Sequence, residues 1–157
     1  MIMQTLKNNY TMRVGIGHSR SELNAFDRAL ISAGVSDYNL ITISSILPPR
    51  SMYQDDIALP KGSLLPTAAA SIFSEGQSDT IAAAVAVGIP VDEDDIGVIM
   101  KYSNFTNKDN AEAVVRSFAK QAMEDRGIFI KKIKSFAIEC RTTTSEIYCA
   151  FAAVSLW

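Results

Sequence analysis

Histidine and cysteine are scarce in this chain, and each scarcity narrows the functions open to it. Among 157 residues there is one histidine, His18, and one tryptophan, Trp157. The two cysteines, Cys140 and Cys149, are too few for a disulfide framework or a zinc cluster. A hairpin over residues 141–146 would set them face to face, while reduced packing thiols suit a cytosolic protein. His18 follows Gly15-Ile16-Gly17. A lone imidazole without a partner motif is more often structural or exposed than a base, and this Gly-x-Gly is too short for a phosphate loop. No apolar run is long enough to span a bilayer. The net charge is −2 and basic residues gather only in pairs such as Lys131-Lys132, which excludes a nucleic-acid footprint. Residues 1–10 lack a basic stretch followed by an apolar one. They read as carrying no secretory signal and predict a cytoplasmic protein without membrane partners.

What remains is an ordinary globular composition, 48% hydrophobic and 20% charged, enough for one domain with a sizeable core. Residues 12–17 read as a strand. Ser21-Glu22 offers a helix start, Leu23, Phe26, Ala29, Leu30 and Ala33 fall at helical spacing, and Gly34 supplies the stop. Residues 38–46 are rich in β-branched side chains and predict a strand ending at Pro48-Pro49. Residues 50–61 read as a polar loop. Residues 62–73 and 80–89 are apolar and rich in small residues. Ala82 to Gly88 suits a helix on propensity alone, but Gly88-Ile89-Pro90 and the neighbouring β-branched residues favour a strand. Residues 96–102 are another strand. Thr106 or Asn107 caps a helix with a stripe of Ala111, Val114, Val115, Phe118, Ala119, Ala122 and Met123, ended by Gly127. Two strands, 128–140 and 147–157, close the chain. About seven strands and two helices without alternation predict an α+β fold, a mixed or antiparallel sheet with helices on its outer face. The many alanines suit closely stacked layers or a partner subunit.

Chemistry is concentrated in Asn39-Leu40-Ile41-Thr42-Ile43-Ser44-Ser45-Ile46-Leu47-Pro48-Pro49. A serine hydroxyl beside a backbone carbonyl can attack it when the backbone is held out of its relaxed shape. A bare Ser-Ser near a strand end is also ordinary turn chemistry.

Several stretches, taken in order, resemble the pyruvoyl-dependent arginine decarboxylases. They are Leu23-Asn24-Ala25-Phe26-Asp27, the Asn39–Pro49 block, Gly62-Ser63-Leu64-Leu65-Pro66-Thr67-Ala68, Ile81 to Pro90, Gly97-Val98-Ile99-Met100, and Cys149 to Trp157. The resemblance covers the chain from about Val14 to Trp157 as a single domain, residues 1–157. It implies a four-layer αββα sandwich, assembled as a homotrimer or a dimer of trimers with active sites between subunits. It also implies self-cleavage between Ser44 and Ser45 into chains 1–44 and 45–157. Ser45 Oγ would attack the Ser44 carbonyl, and the resulting ester would eliminate to dehydroalanine, which hydrolyses to a pyruvoyl group. Asn39 would donate to the oxyanion of that attack; without the resemblance it is a turn residue at a strand start.

The pyruvoyl group made from Ser45 would be the cofactor, with no pyridoxal phosphate and no metal. It would take the α-amine of the substrate, arginine, as a Schiff base and accept electrons as CO2 leaves, giving agmatine. Asp27 would bind the guanidinium, Leu30 would line the same pocket and Ile46 would border the ketone. Read alone, Asp27 is a solvated helix-face charge and Leu30 a core residue. One position departs from the pattern. Lys101, in Val98-Ile99-Met100-Lys101-Tyr102, stands where the family carries a glutamate that acts as proton donor. Three consequences are open: Lys101 is the acid instead, it attracts a carboxylate of a different amino-acid substrate, or the chain is a non-processed, inactive structural or regulatory homologue. Asp27 and Glu139 are the carboxylates nominated to replace the glutamate.

Overall fold

The computed structural model describes residues 8–157; most of the segment read for a secretory signal, residues 1–7, lies outside them. Nine strands and two α-helices follow in the order β1 (Asn9–Ser19), α1 (Glu22–Ala33), β2 (Asn39–Thr42), β3 (Ile46–Leu47), β4 (Met52–Tyr53), β5 (Leu64–Ser74), β6 (Thr80–Pro90), β7 (Gly97–Asn104), α2 (Lys108–Asp125), β8 (Ile130–Arg141) and β9 (Ile147–Leu156). They form a five-stranded sheet, β2-β5-β9-β1-β4, and a four-stranded sheet, β3-β7-β6-β8. The β2–β5 and β1–β4 pairs are parallel, and the other ladders are antiparallel. No helix among the described residues is long and apolar enough to cross a membrane.

Alternation along the central strands builds the layers. In β9, Tyr148, Ala150, Ala152, Val154 and Leu156 face the second sheet, while Cys149, Phe151 and Ala153 face α1. In β6, Ile81, Ala83, Val85 and Val87 meet the first sheet, while Ala82, Ala84 and Ala86 lie under α2. Both strands are buried on two faces, so each reads as a continuous apolar run rather than an alternating one. This is why residues 82–88 were ambiguous between helix and strand. The result is the predicted α+β fold, a sandwich of helix, sheet, sheet and helix.

Each helix is seated by small side chains. Ser21 caps α1, its Oγ accepting the Asn24 N–H at 3.1 Å. Gly34 ends it in the left-handed region at φ 76°, where a side chain costs energy. The buried stripe is Ala25, Ala29 and Ala33. The expected stripe included Leu23, which instead is 77% exposed; a rotation of less than one residue about the helix axis separates the two readings. Gly15 and Gly17 of β1 lie directly beneath, and a Cβ on either would overlap the backbone of Ala29 or Ala25. The Gly-x-Gly is therefore a packing device that lets α1 approach the sheet. Asn107 caps α2, accepting the Asn110 N–H at 2.8 Å, and Ala111, Val115, Ala119, Ala122 and Met123 are buried. Phe118 of the expected stripe is 44% exposed.

Strand pairing corrects one expectation and decides one possibility that the residues left open. The strand expected over residues 38–46 divides into β2 and β3, in different sheets. Residues 141–146 do not turn a hairpin: β8 pairs with β6 and β9 with β1 and β5. Cys140 and Cys149 thus fall in separate layers, Cys140 between the sheets and Cys149 under α1, both as free thiols. The loop expected over residues 50–61 contains the short β4.

Two outcomes follow. Gly17→Ala lowers the unfolding free energy by about 1–3 kcal/mol in a denaturant titration, because the helix must lift to admit a methyl group. Burial pushes the Cys149 thiol up to about 12, so its thiolate fraction at pH 8 is about 10⁻⁴. A disulfide reagent at pH 8 titrates at most Cys140 in the native protein and both thiols after unfolding.

Candidate active site

The segment joining β2 to β3 is where the chain passes from one sheet to the other. β2 runs parallel to β5 only as far as Thr42, opposite Thr67. The Ile43 N–H still donates to the Thr67 carbonyl at 3.2 Å. Ser44, exposed, and Ser45, half-buried, belong to no strand. The Ser45 carbonyl accepts the Ile99 N–H at 2.7 Å, and Ile46 and Leu47 then pair with Val98 and Gly97 of β7. Pro48, with no N–H, ends the pairing, and Ser51 Oγ closes the turn on the Pro48 carbonyl at 2.7 Å. The Ser44–Ser45 peptide is thus held on both sides, by the first sheet before it and by the second sheet after it.

The crossing leaves a gap. β5 continues to Ser74 after β2 has turned away, so its edge is open from Ala68 onward. β7 lies across this opening, and Ser103 Oγ donates to the Ser71 carbonyl at 3.1 Å. In β7, Val98, Met100 and Tyr102 pack toward α2. Ile99 faces the other sheet, and by the two-residue period Lys101 faces it too. A cavity of about 420 Å³ occupies the space, lined by Phe26, Leu30, Tyr38, Asn39, Leu40, Thr42, Thr67, Ala69, Lys101 and Phe151. Lys101 is its only charged residue. None of the ion pairs among the described residues includes Lys101.

Of the residues singled out from the sequence, Leu30, Asn39 and Lys101 meet in this cavity. Asn39 donates Nδ2–H to the Gly62 carbonyl at 2.8 Å, and about 10 Å of extended strand separate it from Thr42. Within one chain it sits at the far end of β2 from the serines. Asp27 is exposed on α1 beside Phe26, outside the cavity wall. Ile46 is 38% exposed, and Ser44, Ser45 and Ile46 are not part of the wall either. Lys101 lies two residues beyond Ile99, about 7 Å along the strand from the residue that anchors Ser45.

Glu139 is on β8, opposite Ala82 at the far edge of the four-stranded sheet, so it is no neighbour of Lys101. His18 bonds Glu146 at 2.6 Å and stacks on Tyr148; this bond holds the Glu146 carboxyl below its ordinary range. Neither residue lines the cavity. A second cavity of about 330 Å³, walled by Leu47, Pro48, Arg50, Asp95, Gly97 and Lys131, lies beyond β3. It contains none of the residues expected to act.

Thr42, Thr67 and Phe151 were not anticipated. Thr67 is buried, its Oγ1 bonded to the Leu65 carbonyl and to Ser155 Oγ, both at 2.9 Å. No local pattern marks these residues: the parallel β2–β5 pair brings Thr42 beside Thr67, and the antiparallel β5–β9 pair brings Phe151.

The fold is a layered αββα domain in which a Ser-Ser peptide passes between the two sheets. The chain belongs to the pyruvoyl-dependent arginine decarboxylase family (PvlArgDC), whose sequence pattern matches residues 9–156. It is 45% identical over 150 residues to the pyruvoyl-dependent arginine decarboxylase of Methanococcus aeolicus, covering 96% of this chain and 90% of that protein. The protein of the same description from Methanocaldococcus jannaschii is 42% identical over 152 residues, covering 97% and 91%. That from Pyrococcus abyssi is 34% identical over 139 residues, covering 87% of each. The family places the chain among enzymes that use a pyruvoyl group rather than pyridoxal phosphate.

Proposed function

We infer that this protein is a self-processing decarboxylase that converts L-arginine to agmatine and CO2. The observation that carries the reading is the family match along nearly the whole chain, with a Ser-Ser peptide at the sheet crossover. Ser45 Oγ attacks the Ser44 carbonyl carbon, the C–N bond between them breaks, and the acyl group moves to oxygen. Elimination releases the Ser44 carboxylate and leaves dehydroalanine, and water then displaces its nitrogen as ammonia to leave a ketone.

The surroundings fit this fate. The broken bond belongs to no strand ladder, so cleavage unmakes no sheet pairing. The first product keeps β1 between β9 and β4 and β2 beside β5. The residue that was Ser45 keeps the hydrogen bond from Ile99 N–H to its own carbonyl. The ketone supplies an electron-accepting carbonyl for the pair left as CO2 departs.

The remaining residues bind and orient. Asp27 offers a carboxylate whose two oxygens match the parallel N–H groups of a guanidinium. Leu30 provides apolar wall for the aliphatic stem, and Ile46 borders the reacting end. Asn39 supplies the oxyanion donor from a neighbouring copy, since within one chain it is remote from Ser44. Assembly as a homotrimer or a dimer of trimers, with sites between subunits, brings such a copy into place.

Denaturing mass spectrometry is expected to find two chains, 1–44 and a longer one lacking a free amino terminus, which co-purify when native. Ser45→Ala leaves one chain with unchanged native assembly; cleavage persisting there would remove Ser45 as the nucleophile. Asp27→Ala raises KM for arginine about tenfold or more with kcat little changed, because a charge-assisted pair is lost from binding. An unchanged KM would take Asp27 out of the site.

A further inference from the structure

We propose that the open edge of β7 at Lys101 is the seat of the substrate's carboxylate, held by the Lys101 ammonium and by the backbone N–H of the same residue. The inference rests on the amino-acid decarboxylase reading and deepens it by naming the group bound at one end of the cavity. The backbone geometry comes first. On a strand, residues i and i+2 send their N–H groups to the same side. Ile99 sends its N–H away from β6, to the Ser45 carbonyl at 2.7 Å. Lys101 therefore directs its N–H the same way. β3 ends opposite Gly97 and Val98, so no strand stands across from Lys101. Lys101 is exposed, so this donor is open to water or to a ligand that displaces it.

The side chain adds the second donor. Lys101 leaves β7 on the face toward the five-stranded sheet and lines the cavity that fills the gap. The rest of the wall carries no formal charge, and no carboxylate lines it. A cavity whose sole charge is positive attracts the anionic end of an amino acid, not its cationic end. The guanidinium is left to Asp27, outside this wall.

The placement has a kinetic consequence. The carboxylate is fully charged in the bound substrate and leaves as neutral CO2. An ammonium upon it stabilises the ground state more than the transition state. Lys101 thus tightens binding without speeding loss of CO2, so Lys101→Gln raises KM and leaves kcat unchanged or higher. A proton donor at this position would instead lower kcat on the same change.

The decisive measurement is calorimetric binding at low salt to the full-length Ser45→Ala protein, which does not turn substrate over. The probes are L-arginine, agmatine, which has the same guanidinium and no carboxylate, and L-glutamate. Arginine is expected to bind about tenfold more tightly than agmatine. Adding Lys101→Gln abolishes the difference, and Lys101→Arg retains it. A preference for arginine that survives Lys101→Gln overturns the proposal, as does the absence of any Lys101-dependent binding of either amino acid. Lys101-dependent binding of glutamate with no binding of arginine upholds the carboxylate seat and refutes arginine as substrate.

Discussion

The passage of one short segment between two sheets is the constraint on which the rest of this site depends. Ile43 is tied to β5 and Ser45 to β7 by backbone hydrogen bonds of 3.2 and 2.7 Å. Between those ties the main chain has no ladder partner and cannot relax into either sheet. Ladder pairing on each side confines the crossing to a few residues. The Ser44–Ser45 peptide is consequently positioned by both layers at once. The same crossing ends β2 early, exposes the edge of β5 and opens the cavity between α1, β5 and β7.

Close approach of the layers makes this possible. Gly15 and Gly17 admit α1 to the first sheet, and Ala82, Ala84 and Ala86 admit α2 to the second. Between the sheets, larger residues such as Met12, Ile81, Val85 and Ile99 fill the core. An antiparallel ladder, from Ala82 opposite Asn104 to Gly88 opposite Val98, holds β7 against β6. Past the two residues covered by β3, β7 leaves its outer side unpaired beside Lys101. An open edge of this kind is ordinarily avoided, and it is tolerated here where it borders a cavity rather than bulk sheet surface.

Much of the element content was legible in the residues. Ser21 and Gly34 bracket α1, and Asn107 starts α2, because capping chemistry is local. The serine pair and its proline stop stood out in the residues before any strand was paired. Other features were hidden for definite physical reasons. The inward phase of α1 was misread at Leu23, since a helix seated on glycines buries its alanines and turns its larger residues toward the margin. Residues 38–46 looked like one strand because β-branched composition does not record which sheet a strand joins. Whether residues 141–146 turn a hairpin stayed open for the same cause: short polar connections look alike whether they return to the same sheet or cross to another.

Sequence alone determined the capped helices, the apolar strands and the family, and it singled out the adjacent serines, all from residues near one another in the chain. Tertiary structure alone decided that Leu30, Asn39 and Lys101 share a cavity with Thr67 and Phe151, and that Asp27 and Glu139 do not line it. It also decided that the Lys101 N–H faces a gap. That division has a physical origin: capping, turn and nucleophile chemistry act within a few residues, whereas a cavity and an unpaired edge arise only when distant strands choose their neighbours.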